Sequence, residues 1–334
     1  MASKLQYITF YNGQKMPIVG LGTWQAKVGE VGKAVDAALA AGYRHIDTAF
    51  SYRNEKEIGE VLKEWFDSGK LKREDIFIVT KLPMMGMRQS SVEKYLKKSL
   101  ADLQLDYVDL YLVHNPVGMQ DVDDGTFPPK GKDGNVLLDL NTDHVSIWKG
   151  MEAQVDAGRA RSIGLSNFTA RQIKRVWQSA RIKPANLQVE MHAYFQQREL
   201  RAFCRALDIT LCAWGPLGTP GIYTFVERQG GDVNNLPRYD LLGDEVVKRI
   251  AQKHGKTTAH VLLRFLMQLE VVVIPKSSNP ARVKENFKVF DFELSAEDME
   301  ALEGLDKGRK GRLGTGNLLP GIDKHPEFPW YERY

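Results

Sequence analysis

The chain has 334 residues, 43% hydrophobic and 26% charged, which is ordinary for a folded protein with a large core. Its formal net charge of +4 is a small imbalance, so we expect neither nucleic-acid nor membrane partners. No apolar run approaches membrane-spanning length, and the first residues carry no signal-peptide pattern. Cys204 and Cys212 are predicted to be reduced and buried, and we expect a cytoplasmic protein.

The first predicted element is a β-hairpin over residues 5–18, with its turn at Asn12-Gly13. After it, eight short apolar runs alternate with amphipathic stretches. The predicted strands are 18–22, 43–48, 76–82, 107–114, 161–166, 187–192, 210–214 and 271–274. The predicted helices between them are 31–41, 55–68, 92–102, 146–157, 170–180, 199–207 and 245–254. Eight such repeats predict an α/β protein, a single (β/α)8 TIM barrel domain over residues 1–334.

Three segments interrupt the alternation, over residues 115–141, 218–240 and 304–334. Long connections in a compact domain are usually functional or disordered. Two of these segments leave the carboxyl-terminal ends of predicted strands, which is the face where barrel enzymes carry their chemistry. We therefore predict that the three segments form the walls of a substrate pocket and are not linkers between domains.

Four polar side chains follow three neighbouring predicted strands: Asp47, Tyr52, Lys81 and His114. The set suits reduction of a carbonyl group, because charge that develops on oxygen needs a proton donor and positive neighbours. A phenol is too weak an acid at neutral pH unless a cation lowers its pKa, and we expect Lys81 to do this beside Tyr52. Asp47 would hold Lys81, and His114 would orient the substrate oxygen. A Schiff-base role for Lys81 stays open on the residues alone.

No Gly-x-Gly-x-x-Gly motif follows the early strands, so a Rossmann site is not supported. After the eighth strand, Asn279 and Pro280 predict the start of a helix. The free backbone amides of this helix, together with Lys276, Ser277 and Arg282, would form a cradle for a phosphate. An ordinary capped surface helix is the alternative.

Four runs together resemble the aldo-keto reductases, of the aldose and aldehyde reductase type: 20–24 (Gly-Leu-Gly-Thr-Trp), 42–49, 166–168 (Ser-Asn-Phe) and 274–277 (Ile-Pro-Lys-Ser). The resemblance extends from about Met16 to Leu294. It implies an NADPH-dependent carbonyl reductase, often monomeric, in which the four polar residues are the catalytic tetrad and Tyr52 is the general acid. Within the family, the sequence resembles the insect members most, and these include 3-dehydroecdysone reductase.

The same resemblance implies the cofactor residues. The 2′-phosphate site would be Lys276, Ser277, Ser278, Asn279 and Arg282, with Glu285 and Asn286 at the adenine. The nicotinamide end would involve Thr23, Trp24, Asp47, Ser166, Asn167, Gln188, Trp214, Pro216 and Leu217. Trp214 matches the position on which the nicotinamide ring stacks. Glu190 faces the same side of its strand as Gln188, and its role stays open.

Pro83 and Asn115 occupy positions where aldose reductase has tryptophans, which implies a wider and more polar pocket. A bulky ketone such as a steroid would therefore fit better than a small sugar aldehyde, and the resemblance to insect members implies an ecdysteroid as one such substrate. The candidate wall residues are Trp24, Phe50, Asn115, Phe127, Phe328, Trp330, Tyr331 and Tyr334. A non-catalytic, cofactor-binding regulatory or structural protein of the same fold is the main alternative. A metal enzyme is a weaker one, because the seven histidines are scattered.

Overall fold

A computed structural model of the chain describes residues 6–27, 29–122, 126–314 and 319–331. The predicted hairpin is present as the antiparallel strands β1 (Tyr7–Thr9) and β2 (Lys15–Pro17). Eight parallel strands follow. They are β3 (Leu21–Gly22), β4 (His45–Asp47), β5 (Phe77–Leu82), β6 (Val108–Val113), β7 (Ala160–Ser166), β8 (Asn186–Glu190), β9 (Thr210–Trp214) and β10 (Val271–Val273).

The eight strands are hydrogen-bonded in sequence order from β3 to β10. The sheet closes on itself, because Val19 bridges Val273 and Gly22 bridges Lys276, both in parallel. Each consecutive pair of these eight strands is joined by a crossover that contains at least one α-helix. The predicted (β/α)8 fold is therefore confirmed.

Eleven α-helices lie in the described residues. They are α1 (Val31–Ala41), α2 (Glu55–Asp67), α3 (Gln89–Leu103), α4 (His144–Asp156), α5 (Ala170–Ser179), α6 (Arg198–Ala206), α7 (Ile222–Gln229), α8 (Glu245–His254), α9 (Thr258–Gln268), α10 (Pro280–Asn286) and α11 (Ala296–Glu303). Every predicted strand and helix lies within three residues of its expected bounds.

The sequence prediction missed three helices. α7 lies inside residues 218–240, which had been expected to be an irregular segment, and α11 lies just before residues 304–334. α9 was missed for a physical reason: eight of its eleven residues are buried, so it lacks the polar face that produces a helical period. Within the part of the chain that the structure describes, no helix has the length and apolar character needed to cross a membrane.

The interior of the barrel places the site. Alternate residues of a strand point to the same side, so Phe77 and Val79 on β5 point inward with Lys81. On β6, Leu110 and Leu112 point inward below the residue that follows the strand, His114. These apolar side chains form one buried cluster with Phe10 and Met16 of the hairpin region, and with Cys212. The lower barrel is thus filled with apolar side chains, and the inward polar residues lie at its carboxyl-terminal rim. Both cysteines are free and buried, as predicted.

Candidate active site

The structure brings the four predicted polar side chains together at this rim. Lys81, wholly buried, donates from Nζ to Asp47 Oδ1 at 2.6 Å and to the backbone oxygen of Thr48 at 2.9 Å. The same ammonium lies 3.3 Å from the Tyr52 hydroxyl oxygen. The Tyr52 and His114 rings meet edge to face with centroids 5.6 Å apart. A phenol, a cation, a carboxylate and an imidazole therefore share one small space.

Asp47 is held from both sides. Its second carboxylate oxygen accepts a hydrogen bond from Gln188 Nε2 at 2.7 Å, and its backbone oxygen accepts one from Thr23 Oγ1 at 2.9 Å. Thr23, Asp47 and Gln188 are each 2% exposed or less. A buried carboxylate with a cation and an amide donor is fully partnered, so the position of Lys81 is fixed before any substrate arrives.

The pKa of Tyr52 differs from the sequence expectation. Burial raises the pKa of the Tyr52 phenol above its usual value, the Lys81 ammonium lowers it, and Asp47 raises it again. Lys81 therefore acts in the expected direction, but the net pKa of Tyr52 lies above its usual value and not below it. The desolvation of a phenol at this depth outweighs the attraction of one cation that is already paired. Tyr52 therefore carries its proton at neutral pH.

His114 and Lys81 have opposite charge states. Burial, and then the charge of Lys81, lowers the pKa of His114 well below its usual value, so the imidazole is neutral. Burial also acts to lower the pKa of Lys81, but Asp47 and Tyr52 together raise it above its usual value. The site thus contains the protonated Lys81 ammonium, next to the phenol, and a neutral His114 imidazole that can donate one N–H.

Of the predicted nicotinamide residues, Asn167 lies beside His114. Asn167 follows β7 with a left-handed backbone (φ 64°), and its Nδ2 donates to the backbone oxygen of His114 at 2.9 Å and to Ser166 Oγ at 3.2 Å. Asn167 Oδ1 accepts a hydrogen bond from Trp214 Nε1 at 2.9 Å. The indole of Trp214 is therefore oriented by Asn167. Pro216 and Leu217 follow it in a turn after β9.

The predicted phosphate residues lie where β10 leads into α10. Asn279 is the N-cap, and Pro280 begins the helix, as predicted. The amides of Ala281 and Arg282 are not free, however, because both donate to Asn279 Oδ1. The expectation of free amides was wrong: a capping side chain satisfies the same N–H groups that a phosphate would use. Ser277 in turn accepts from the Asn279 amide, and Ser278 is half-buried beside it.

Lys276 and Arg282 nevertheless suit a phosphate. Burial lowers the pKa of Lys276, Glu30 raises it, and the neighbouring charge of Arg282 lowers it. Among the described residues neither cation forms a salt bridge; the Lys276 ammonium has only a weak contact with the backbone oxygen of Gln25, at 3.4 Å. Two cations that repel each other, neither of them in a salt bridge within the described residues, fit a bound anion.

Of the two predicted adenine residues, Glu285 borders a surface cleft of about 500 Å³. The Glu285 carboxylate accepts a hydrogen bond from Lys288 Nζ at 2.9 Å. The backbone oxygen of Glu285 lies 2.7 Å from His260 Nε2. Lys288 lowers the pKa of Glu285. Asn286 is buried at the end of α10. The cleft lies at the α8–α10 side of the barrel and does not contain the tetrad.

Of the predicted wall residues, Trp24 packs on Phe225 of α7 with ring centroids 5.2 Å apart. Phe127 packs, partly buried, against the main core, and Asn115 accepts a hydrogen bond from the Val117 amide. The Phe50 ring packs on Tyr95 of α3 with centroids 5.0 Å apart, whereas the Tyr52 ring packs on His114. Phe50 and Tyr52 lie two residues apart in a 3-10 turn, so their side chains point in different directions.

Phe328 and Trp330, which were also expected in the wall, pack edge to face with centroids 6.4 Å apart. The backbone of Tyr331 is described, while Tyr334 and residues 315–318 lie outside the described residues. Among the described residues, no group of three or more His, Cys, Asp or Glu side chains is placed to hold a metal ion.

Sequence reasoning missed the role of two buried carboxylates. Glu55 accepts hydrogen bonds from Thr80 and Ser99, behind Lys81, and burial raises its pKa to about 7. Glu190, whose role had been left open, accepts backbone N–H bonds from Leu313 and Gly314. A glutamate at the start of an amphipathic helix looks like a solvated residue in the sequence. The partners of Glu190 lie 123 and 124 residues away, where no local pattern indicates them.

A closed (β/α)8 barrel with a phenol, an ammonium, a carboxylate and an imidazole at its carboxyl-terminal rim is the architecture of an oxidoreductase that reduces carbonyl groups. The family model described as "Aldo/keto reductase family" matches residues 18–307. This chain belongs to the aldo/keto reductase family.

Similar proteins span the whole chain. Aldo-keto reductase family 1 member A1 of Xenopus tropicalis is 42% identical and covers 100% of both chains. The human protein of the same name is 41% identical, over 98% of each chain. Among solved structures, the aldose reductase from Schistosoma japonicum superposes with a TM-score of 0.88 at 42% identity, covering 99% of this chain and 100% of that one.

Proposed function

We propose that this protein reduces aldehydes and ketones to alcohols with NADPH, with Tyr52 as the general acid. The observation that carries the proposal is the contact between the Tyr52 hydroxyl and Lys81, whose ammonium is bound to buried Asp47. A carbonyl oxygen gains negative charge while its carbon is reduced, so it needs a proton donor and a fixed positive charge beside it. Both are supplied here by side chains that are already in position.

The chemistry follows from the charge states. Bound NADPH would supply a hydride to the carbonyl carbon. Tyr52 holds its proton at neutral pH, because burial raises its pKa, and passes it to the substrate oxygen. The phenolate that remains faces the Lys81 ammonium at 3.3 Å, which stabilises it. We assign His114 the orienting role, since a neutral imidazole donates one N–H to the substrate oxygen.

We assign the cofactor ends as the sequence suggested. Lys276 and Arg282, which form no salt bridge within the described residues, support a 2′-phosphate, and therefore NADPH over NADH. Trp214 would stack on the nicotinamide ring. The carboxamide of the nicotinamide would contact polar side chains at the ends of β7 and β8: Ser166, Asn167 and Gln188. A monomeric state and a cytoplasmic location stay predictions of the sequence.

The Arg282→Ala variant is expected to bind NADPH about tenfold to a hundredfold more weakly, because it loses charge-assisted hydrogen bonds to the 2′-phosphate. Its affinity for NADH should stay unchanged. Fluorescence titration with each cofactor measures both values. Lys284→Ala is the matched control, since Lys284 is an exposed cation on the same helix. Equal losses for NADH and NADPH in Arg282→Ala would place the phosphate elsewhere.

We further propose that the substrate is a bulky ketone, with ecdysteroids as the candidate class. Pro83 and Asn115 carry no large ring where the resemblance implied an aromatic box, and Asn115 is bound to its own loop through the Val117 amide. We assign Trp24, packed on Phe225, as the large ring at the mouth of the pocket. A wall with a proline and an amide leaves more room than one with two indoles.

With saturating NADPH, the kcat/KM for a hydroxysteroid ketone is expected to exceed that for a small sugar aldehyde by at least about tenfold, since extra buried apolar area contributes to binding. Loss of NADPH absorbance measures both rates. Turnover of small aldehydes with no turnover of bulky ketones would contradict the substrate proposal and leave the reductase proposal standing.

A Schiff-base lyase, the alternative based on Lys81, is disfavoured by the ion pair. A lysine attacks a carbonyl only as a neutral amine. Asp47 and Tyr52 raise the pKa of Lys81, which keeps it protonated. An inert protein of the same fold, in turn, has no need of a wholly buried cation directed at a phenol, because such a pair contributes little to stability.

A further inference from the structure

Glu190, at the end of β8, is a buried carboxylate outside the tetrad. Its side chain is 2% exposed, and among the described residues no lysine or arginine pairs with it. Its Oε1 accepts the Leu313 N–H at 2.6 Å, and its Oε2 accepts the Gly314 N–H at 2.7 Å. His192 Nε2 lies 3.1 Å from Oε1. Both oxygens of the carboxylate thus accept hydrogen bonds from the backbone of one segment that is distant in the sequence.

The same segment is packed on its other sides. The Leu313 side chain is fully buried in an apolar cluster with Ile222 and Val226 of α7, against which Trp24 packs. The Gly311 backbone oxygen accepts a hydrogen bond from the Tyr239 hydroxyl. Residues 311–314 are therefore fixed by the barrel through Glu190 and by residues 218–240 through Tyr239 and α7.

Gly314 lies directly on Trp214. A Cβ added at this position would stand 2.7 Å from Trp214 Cη2 and 2.9 Å from Glu190 Oε2, closer than real side chains allow. Only glycine permits this approach. Trp214 is joined through Asn167 to the backbone of His114, and Trp24 directly follows Thr23, which is bonded to Asp47. The segment therefore lies between two rings that are each attached to a member of the tetrad.

We propose that Glu190 is a positioning residue for substrate selection: it fixes residues 311–314 as the wall between Trp24 and Trp214, next to the reacting carbonyl. The proposal rests on the carbonyl reductase function. The carboxylate is required because it presents two acceptor oxygens to two parallel N–H groups. A glutamine keeps the shape but turns one acceptor into a donor, which faces an N–H and repels it.

The first test compares Glu190→Gln with the wild type by hydrogen exchange. The Leu313 and Gly314 amides should be protected in the wild type and exchange at least about tenfold faster in the variant. The matched control is Glu152→Gln on α4. Its carboxylate is also buried and accepts two backbone N–H groups, from Arg181 and Ile182, at the opposite end of β8. If the Leu313 and Gly314 amides exchange at the wild-type rate in Glu190→Gln, the proposal that Glu190 anchors the segment is wrong.

The second test is kinetic, with NADPH and a nitrobenzaldehyde as probes. Glu190→Gln should raise KM about tenfold and leave kcat within about twofold, because the wall binds substrate but the tetrad is untouched. Glu152→Gln should change neither constant. Lost protection with an unchanged KM overturns the selection role.

A second variant guards against a folding defect. Gly314→Ala keeps Glu190 but forces the wall away from Trp214, so it should raise KM in the same direction. An unchanged KM in this variant would also contradict the proposal that residues 311–314 form a wall of the substrate pocket. A wild-type protein that binds NADPH and reduces no carbonyl would remove the reductase function and with it the selection role. The exchange of the two amides would still show whether Glu190 anchors the segment.

Discussion

The Tyr52→Phe variant is expected to lose at least about a hundredfold, and up to about ten-thousandfold, in kcat for carbonyl reduction. The substitution removes the hydroxyl that contacts Lys81 and leaves the ring that packs on His114. NADPH binding should stay within about twofold, because the phenol does not belong to the proposed phosphate or carboxamide contacts. Loss of NADPH absorbance on addition of an aromatic aldehyde measures the rate, and fluorescence titration measures the binding.

The matched control for this substitution is Tyr111→Phe. Tyr111 is a buried tyrosine of β6 whose hydroxyl has no hydrogen-bond partner among the described residues. Removing an unsatisfied hydroxyl costs nothing and can stabilise the fold. The control should therefore retain full activity and at least the stability of the wild type. A Tyr52→Phe variant that is as active as Tyr111→Phe would assign the proton to another group, and the proposed general acid would be wrong.

The fold was predictable because its signal is local and repeated. Each strand is a short apolar run and most helices carry a 3.6-residue period, so the eightfold alternation was visible without any long-range information. The tetrad was predictable for the same reason. Lys81 and His114 end buried strands, and the carboxyl ends of parallel strands meet at one rim. Tyr52 follows another strand by a few residues and meets them there.

The features that the sequence analysis missed depend on burial, on the direction of side chains, and on contacts between residues that are far apart in the sequence. α9 is buried on nearly all sides, so it has no period to detect. Phe50 was a candidate for the pocket wall, yet its ring packs on Tyr95 of α3, while the Tyr52 ring packs on His114. The capping of the Ala281 and Arg282 amides depends on one rotamer of Asn279. The role of Glu190 depends on a segment 123 residues away.

The Asp47–Lys81 ion pair allows stability and catalysis to be separated. Lys81→Met alone is expected to lower the free energy of unfolding by about 3–5 kcal/mol, because it leaves the buried Asp47 carboxylate without its cation. Urea denaturation followed by circular dichroism measures this value. Lys97→Met is the control: Lys97 pairs with Glu93 on the surface, at 61% and 47% side-chain exposure, and should change stability by less than about 1 kcal/mol.

The double variant Asp47→Asn/Lys81→Met removes both charges of this pair. It should recover most of the lost stability, because a neutral amide still accepts the Gln188 hydrogen bond and no buried charge remains. It should recover no activity, because the phenolate at Tyr52 then forms without a cation beside it. A Lys81→Met variant as stable as the wild type would mean that Asp47 is protonated or hydrated. A double variant that reduces carbonyls would mean that the ion pair serves only the fold.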